Sequence, residues 1–359
     1  MRYLVTGGLG FIGSAFVRGI RAEEPESQIV VLDALSYAGN LENVQGCLED
    51  GRLFFPSREE DWKERFLRFL GLPGVVVVIG DVCDTGLVEE LLPQINAVVH
   101  FAAESHVDRS LLDPEPFFHS NVRGTFSLLQ AMRKVGNVGK FVHVSTDEVY
   151  GEASERSFSE EDPLHPRNPY SATKAAAEQF VLAQHHSFGL PVNIIRPTNN
   201  FGPFQYPEKL IPLMISRAMH DQPLPVYGDG KQSRDWLFVE DTVQAIRLLV
   251  QRGKNGEVYN LAGHNERQNI EVVRRILRRL GKPESLIRHV EDRPGHDRRY
   301  ALDDSKIRSE LGLGSGEAFE ERLDQTIDWY VNSQDWWRRI REGQREYQDF
   351  MGQWYKDRT

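Results

Sequence analysis

The sequence predicts an α/β protein built on an open, doubly wound parallel sheet, with a smaller C-terminal substrate-binding lobe. Residues 75–79 are a continuous apolar run and residues 97–101 are apolar except for His100, as expected of parallel strands that are buried on both faces. Helical patterns separate these runs, and the alternation continues through residues 141–144, 192–196 and 257–261. Strands that alternate with helices predict βαβ units and therefore a parallel sheet.

A glycine-rich turn follows the first predicted strand. Residues 2–6 are apolar, the next seven read GGLGFIG, and a helical pattern continues to residue 22. Gly7, Gly10 and Gly13 allow a tight turn, close approach of backbone amides to a pyrophosphate, and close packing of helix on strand. The second strand, 29–32, ends in Asp33, and an acid there hydrogen-bonds a ribose diol and repels a 2′-phosphate. The sequence thus predicts a Rossmann-type site for NAD rather than NADP, with Asp81 near the adenine.

The composition excludes several classes of partner. The 359 residues carry a net charge of -10, which argues against nucleic acid or an anionic membrane. Two cysteines, Cys47 and Cys83, cannot form a disulfide framework, and no apolar run approaches the ~18 residues of a membrane span. Glycines interrupt the first apolar run, unlike a signal peptide. We therefore predict a soluble cytoplasmic protein without a metal site.

The sequence pattern changes near residue 190. We predict an NAD-binding Rossmann domain over residues 1–190, with later returns to the sheet near 235–262. Residues 191–359 are predicted to form mainly the substrate-binding lobe, interleaved with the first domain, because turn-rich segments dominate after residue 196. Arg234 and Arg293 lie in these loops, where a planar guanidinium suits the oxygens of a diphosphate.

Four polar residues follow the predicted strand at 141–144, namely Ser145, Thr146, Asp147 and Glu148. Two adjacent carboxyls at the end of a strand are a poor choice for packing. They suit a site where one carboxyl gives a proton and the other takes one.

A tyrosine and a lysine begin the next predicted helix. Asn168 and Pro169 are typical of a cap and a first helical position, so Tyr170 and Lys174 fall one turn apart on one face. An ammonium near a phenol lowers the phenol's pKa from its usual value near ~10. Tyr170 is therefore predicted to act as a base toward an alcohol.

Two predicted helices, near 121–134 and 170–187, carry wide apolar or small faces. Small residues allow helices to approach closely, so these helices are predicted to form a homodimer interface. Packing within one subunit explains the same faces.

Eight motifs carry a family resemblance along nearly the whole chain. They read TGGLGFIGS, SYAGNLENV, FAAESHVDRS, STDEVYGE, NPYSATKAAAE, NNFGPFQYPEKLIP, YGDGKQSRDWLFVED and DRPGHDRRYALD. The chain resembles the extended short-chain dehydrogenase/reductase family and, within it, the nucleotide-sugar 4,6-dehydratases, most closely those that act on dTDP-glucose. The segment between Asn43 and Gly80 is longer than in the family, and only residues 59–70 within it look helical.

The resemblance implies roles for the acidic and basic groups. Tyr170, with Lys174 beneath it, would take the proton of the sugar's 4-hydroxyl while hydride passes to NAD, and Thr146 would hydrogen-bond the same oxygen. Glu148 would then remove the proton on carbon 5. Asp147 would protonate the departing 6-hydroxyl before the hydride returns to carbon 6. These roles require a protonated Asp147 and an ionised Glu148.

The resemblance also implies two sets of ligand contacts. The residues implied for NAD are Gly7, Gly10, Phe11, Ile12, Gly13, Asp33, Asn40, Asp81, Val82, Ala102, Ala103, Ser105, Tyr170 and Lys174. The residues implied for the nucleotide sugar are Ser105, Thr146, Asn199, Glu208, Lys209, Leu210, Pro225, Tyr227, Arg234, Asn269, Arg293 and His296.

Three alternatives stay open at this point. A dehydratase of UDP- or CDP-sugars would share the reacting groups. A 4-epimerase or a decarboxylase of the same fold would use NAD, Tyr170 and Lys174, but neither reaction needs the pair Asp147 and Glu148. A non-catalytic NAD-sensing regulator would share the fold, although such proteins typically lose the tyrosine or the lysine.

Overall fold

The computed structural model describes residues 1–314 and 316–355, and within them the main sheet has eight strands. In order across the sheet these are β11 (Val258–Leu261), β7 (Val192–Pro197), β6 (Lys140–Val144), β5 (Ala97–His100), β1 (Arg2–Thr6), β2 (Gln28–Asp33), β4 (Gly74–Ile79) and β3 (Leu48–Phe54). Every neighbouring pair is parallel.

The order of the strands places the ligand-binding edge. The chain builds outward from β1 through β2 and β4, then returns to the other side of β1 with β5. Loops diverge where the winding reverses, and ligands of such sheets bind in that crevice. The predicted Rossmann-type, doubly wound sheet is confirmed.

Helices cover both faces of the sheet. The α-helices are α1 (Phe11–Glu23), α2 (Trp62–Leu67), α3 (Thr85–Leu91), α4 (Val107–Leu112), α5 (Glu115–Phe117), α6 (Thr125–Val135), α7 (Pro169–Phe188), α8 (Leu210–Met219), α9 (Val239–Arg252), α10 (Asn269–Arg279), α11 (Ser305–Leu311), α12 (Phe319–Asn332), α13 (Gln334–Gly343) and α14 (Arg345–Tyr355). Short 3₁₀ turns occupy Leu41–Cys47, Leu92–Gln94, Asp147–Tyr150 and Glu284–Leu286, and a π-helical segment, Phe118–Gly124, joins α5 to α6.

Alternate residues of the strands fill two cores. On one face Val5 of β1 packs with Phe16 of α1 and Val243 of α9. On the other face Leu4 packs with residues of α3, α6 and α7. A strand buried on both faces has little room for polar side chains except at its ends, so the chemistry is confined to the loops at the sheet's edge.

A second group of elements forms a smaller core of its own. It contains the three-stranded sheet of β12 (Glu266–Gln268), β10 (Ser233–Phe238) and β8 (Asn199–Phe201), and the parallel pair β13 (Ile287–Val290) and β9 (Leu224–Tyr227). Helices α8, α10, α12 and α13 pack on them. Of the predicted return near 235–262, only β11 joins the main sheet, since β10 pairs with β8 and β12. The division into two domains stays a prediction.

The segment between Asn43 and Gly80 adds an edge to the main sheet. β3 pairs in parallel with β4, and α2 covers it with Trp62 and Phe66 against Phe54. Among the described residues, none of the helices has both the length and the apolar character needed to cross a bilayer.

Candidate active site

A cleft opens along the carboxyl ends of β1, β2, β4 and β5. All of the residues predicted to contact NAD line it except Asn40: Gly7, Gly10, Phe11, Ile12, Gly13, Asp33, Asp81, Val82, Ala102, Ala103, Ser105, Tyr170 and Lys174. The glycine turn, the end of β5 and the start of α7 thus meet around one space, which we call the cofactor cleft.

The glycines of the turn have different structural tasks. A Cβ on Gly7 would lie 2.5 Å from the amide nitrogen of Ala102, and one on Gly13 would lie 2.2 Å from the carbonyl oxygen of Gly7. Gly7 also has a positive φ of 68°. A Cβ on Gly10 would meet nothing closer than 3.4 Å. Gly7 and Gly13 therefore permit close packing of the turn, and Gly10 leaves the mouth of the cleft open to a pyrophosphate, so the residues fit a dinucleotide.

Asp33 ties the glycine turn to the loop after β2. Its carboxylate accepts hydrogen bonds from the amides of Leu9 and Leu35, both at 2.9 Å. Asn40 was predicted to contact NAD but does not line the cleft, because its side chain caps the 3₁₀ turn by accepting a bond from the amide of Glu42 at 2.9 Å. The loop lines the cleft instead through Ser36, Tyr37, Ala38 and Gly39, which the sequence prediction did not include.

The acidic pair stands at the end of β6. Thr146 caps the 3₁₀ turn Asp147–Tyr150, and its hydroxyl donates to Oδ1 of Asp147 at 3.1 Å. Oδ2 of Asp147 is buried and has no hydrogen-bond partner among the described residues. The Glu148 side chain turns the other way, where it lines the neighbouring pocket and accepts a bond from Nδ2 of Asn168 at 3.3 Å.

The surroundings of Asp147 favour its protonated form. Burial raises the pKa of Asp147 to about 8, and the nearby charge of Glu148 contributes in the same direction. Asp147 is only 2% exposed. Its carboxyl is therefore protonated at neutral pH, which is the form that a proton donor needs. The Glu148 carboxyl is next to it in the sequence.

Tyr170 and Lys174 begin α7 as predicted, with Asn168 and Ser171 forming a capping box. Burial and the charge of Glu148 raise the pKa of the Tyr170 hydroxyl instead of lowering it, and the opposing effect of Thr146 is smaller. The predicted effect of Lys174 on Tyr170 is wrong for this arrangement, because the ammonium donates to the carbonyl oxygen of Val144 at 2.6 Å. Burial also lowers the pKa of Lys174 to about 8.

A second pocket, the nucleotide pocket, adjoins the cofactor cleft. It contains every residue predicted for the nucleotide sugar except Thr146: Ser105, Asn199, Glu208, Lys209, Leu210, Pro225, Tyr227, Arg234, Asn269, Arg293 and His296. Ser105 and Lys209 line both spaces, so a ligand of one would lie next to a ligand of the other. Thr146 lines neither space, and its hydroxyl donates to Asp147, which lines neither space either.

The nucleotide pocket holds polar groups whose bonds are incomplete. Within the described residues, Oδ1 of Asn199, Oδ1 of Asn269 and Nε of Arg293 are buried without a hydrogen-bond partner. Arg293 is oriented by Asp108, with Nη1 donating to Oδ1 at 2.6 Å, and Asp108 raises the pKa of Arg293. Buried polar atoms normally have partners, so the two amide oxygens fit hydrogen-bond donors of a polar ligand, and Nε of Arg293 fits a negatively charged acceptor.

Comparison with known proteins places this geometry in a family. The family model described as GDP-mannose 4,6 dehydratase matches residues 70–326. A dTDP-glucose 4,6-dehydratase of Xanthomonas campestris is 47% identical over 366 residues, which cover 95% of this chain and 96% of the relative. The chain belongs to the nucleotide-sugar 4,6-dehydratases.

Two solved structures of this dehydratase family have the same fold as the chain. DesIV, a dTDP-glucose 4,6-dehydratase of Streptomyces venezuelae with NAD and TYD bound, is 42% identical, has a TM-score of 0.84 and covers 95% of this chain and 100% of its own. The dTDP-glucose 4,6-dehydratase of Bacillus anthracis, in complex with NAD, is 40% identical with a TM-score of 0.83, covering 95% of this chain and 99% of its own.

In this dehydratase the sequence prediction missed several wall residues. They include Ser120, Gln205 and Tyr206 in the cofactor cleft and His106, Val107, Asp108, Leu213, Met214, Trp236, Val273 and Tyr355 in the nucleotide pocket. Asp108 could have been found, since it lies in the motif FAAESHVDRS and an acid is a natural partner for a loop arginine. No local signal indicates Tyr355, which reaches the pocket from the C-terminal helix.

Proposed function

We propose that the protein is an NAD-dependent hydro-lyase that converts dTDP-glucose to dTDP-4-keto-6-deoxyglucose and water. The observation that carries the proposal is a buried, protonated Asp147 next in sequence to Glu148, which lines the nucleotide pocket, while Tyr170 lines the adjoining cofactor cleft. Oxidation of an alcohol requires a base such as Tyr170. Elimination of water requires an acid and a base in addition.

NAD would be held by the glycine turn, Asp33 and Asp81, and by Tyr170 and Lys174 at its reactive end. Bound NAD supplies a reversible hydride acceptor to the reaction. The protein's part is to orient the sugar toward that end, and Ser105 and Lys209 support this by lining both spaces.

Tyr170 would take the proton of the sugar's 4-hydroxyl, and Thr146 would hydrogen-bond the same oxygen. Because burial and Glu148 raise the pKa of Tyr170, the phenol needs a nearby positive charge to release its proton. Lys174 is the ammonium beneath it and remains largely charged at neutral pH, since its pKa is about 8. Lys174 therefore has to turn from Val144 toward the phenol during catalysis.

Elimination would divide between the two carboxyls. A ketone at carbon 4 acidifies the proton on carbon 5, which Glu148 removes from its place on the pocket wall. Asp147 gives its proton to the departing 6-oxygen, because it is the carboxyl that keeps a proton at neutral pH. A 4-epimerase or a decarboxylase has no need of this second pair of groups.

The nucleotide diphosphate would lie in the nucleotide pocket. Arg234 is a buried cation that lines the pocket, and Arg293 is a partly buried one; a guanidinium suits the diphosphate oxygens. Asn199, Lys209 and Asn269 would bind along the nucleotide and sugar. The dTDP-sugar is proposed because the relatives at 40–47% identity are named for dTDP-glucose.

The test is turnover of dTDP-glucose by the protein in D₂O, without added NAD and then with it. We expect the 4-keto product with one solvent deuteron at carbon 5, read by mass spectrometry. Glu148→Gln should lose deuterium incorporation while reduction of NAD persists, because only the elimination base is removed. Tyr170→Phe should lose both.

Each failure has a distinct meaning. Turnover of a UDP- or CDP-sugar instead of dTDP-glucose would change only the nucleotide. Binding of NAD without turnover of any nucleotide sugar would reject the enzyme in favour of an NAD-sensing regulator. Full deuterium incorporation by Glu148→Gln would reject the assigned base.

The proposal includes a homodimer, a cytoplasmic location and the division at residue 190. The support for the dimer is an apolar surface on the helices at 118–135 and α7, where Phe118, Phe126, Phe180 and Phe188 are exposed. Phe126 and Phe180 touch edge to face at 5.6 Å. Exposed aromatic patches of this kind mark interaction sites. Light scattering should give twice the chain mass, and the double change Phe126→Asp with Phe180→Asp should give the monomer.

A further inference from the structure

A group of metal-ligating side chains lies at the rim of the cofactor cleft. Asp81 and Cys83 follow β4, and His119 lies on the π-helical segment across from them. One ligand atom of each, a carboxylate oxygen, a thiol sulfur and an imidazole nitrogen, lies within 4.8 Å of the other two. Cys83 and His119 play no part in the proposed reaction, and Asp81 is proposed only to hold NAD.

We propose that Asp81, Cys83 and His119 bind a Zn²⁺-class divalent cation, and that the bound ion blocks the adenosine end of the cofactor cleft. Sulfur, nitrogen and oxygen donors together select zinc or cobalt over Mg²⁺ and Ca²⁺, which prefer oxygen alone. Three protein ligands leave one position for water in a tetrahedral site.

The three donors are held close to ligating positions. Oδ1 of Asp81 accepts from the Cys83 amide at 2.8 Å, which orients the carboxylate, and Oδ2 lies 3.1 Å from Nε2 of His119. The turn at 81–83 packs on the helix backbone, since a Cβ on Gly124 would lie 2.6 Å from Val82 and 3.7 Å from the Cys83 sulfur. Ligands around zinc stand roughly 3–4 Å apart, so small rotations of the half-exposed His119 side chain complete the site.

Binding of the ion displaces one proton. The Cys83 thiol donates to the carbonyl oxygen of His119 at 3.5 Å, so the sulfur carries a proton before the ion binds. The metal–sulfur bond forms as the thiol proton passes to solvent, and the imidazole binds in its neutral form.

The ion should affect NAD binding because Asp81 belongs both to the metal-ligating group and to the cofactor cleft. This step rests on the proposed NAD site. Asp81 lines the cleft where adenosine is proposed to bind, and Ser120, next to His119, lines the same end. An ion that takes Oδ2 of Asp81 withdraws the carboxylate from that end. NAD and the cation should therefore compete, and each should weaken the other by the same factor.

The first experiment titrates Co²⁺ into protein from which bound NAD has been removed, because NAD should compete with the ion, and records the thiolate-to-cobalt absorption in the near ultraviolet. We expect a band that saturates at one ion per chain. Cys83→Ser should abolish the band, and His119→Gln should weaken binding about tenfold or more. Cys47→Ser, a change at the chain's other cysteine, is the matched control and should keep it. If no absorption band appears, or if the band remains in Cys83→Ser, the proposed metal site is rejected.

The second experiment measures NAD retained by the protein after filtration with and without Zn²⁺. Faster loss of NAD with Zn²⁺, absent in Cys83→Ser, supports blocking of the cleft. Cobalt binding that is unchanged by saturating NAD overturns the blocking. Neither readout depends on turnover, so failure of the dehydratase proposal would be seen separately.

Discussion

Replacing Asp147 by Asn should stabilise the folded protein, and the gain should grow with pH. The Asp147 carboxyl is buried, Oδ2 has no hydrogen-bond partner among the described residues, and Glu148 adds a second negative charge. Its pKa therefore rises from 3.8 to about 8 on folding. A side chain that must stay neutral in the folded state opposes folding whenever the unfolded chain would ionise it.

The effect of Asp147 on the free energy of unfolding depends on pH because its pKa differs between the folded and unfolded states. Between about pH 4 and 8 the folded protein holds a proton that the unfolded chain releases, so this group's effect on stability becomes more unfavourable as pH rises and levels off above pH 8. The whole shift corresponds to at most about 6 kcal/mol. Asparagine has nearly the same shape and no charge, so the advantage of Asp147→Asn should increase by about 1 kcal/mol for each pH unit across that window.

Urea denaturation at pH 5, 6.5 and 8.5 measures this difference in the free energy of unfolding. Asp50→Asn is the control, because Asp50 is exposed on β3 and should show little change at any pH. A difference between Asp147→Asn and the unaltered protein that is the same at all three pH values would refute the buried, protonated carboxyl. The variant should also lose elimination, since the gain in stability comes from removing the acid.

Three further outcomes follow from the same structure. The turnover rate should fall above about pH 8 as Asp147 loses its proton, which a rate–pH profile with dTDP-glucose checks. Gly13→Ala should abolish retention of NAD, measured by absorbance of the purified protein, because its Cβ would lie 2.2 Å from a carbonyl oxygen of the turn. Glu178→Gln removes the partner of the buried Arg196, whose Nη2 lies 2.5 Å from the Glu178 carboxylate. Urea unfolding should show a loss of about 3–5 kcal/mol, against less than about 1 kcal/mol for Glu64→Gln in an exposed pair.

Some features could be predicted from short stretches of sequence because the interactions that form them are local. The glycine turn after β1, the acid at the end of β2 and the cap that begins α7 each depend on residues a few positions apart. The adjacent carboxyls Asp147 and Glu148 could be recognised for the same reason. Every predicted ligand residue except Asn40 and Thr146 lines one of the two spaces, because the winding of the sheet brings all strand ends to one edge.

Other features arise only when distant segments meet. β3 reads LEDGRLF, without alternation, and becomes a strand because β4 offers an edge. Arg293 is oriented by Asp108 from 185 positions away, and Tyr355 reaches the pocket from the last helix.

The electrostatics of the site show most clearly what sequence and structure each determine. The sequence by itself determined which groups stand at the site, because motif and spacing place Asp147, Tyr170 and Lys174 at the ends of neighbouring elements. Only the tertiary structure decided their protonation. Burial, which is a property of the packed fold, keeps the proton on Asp147, raises the pKa of Tyr170 and turns Lys174 to the Val144 carbonyl.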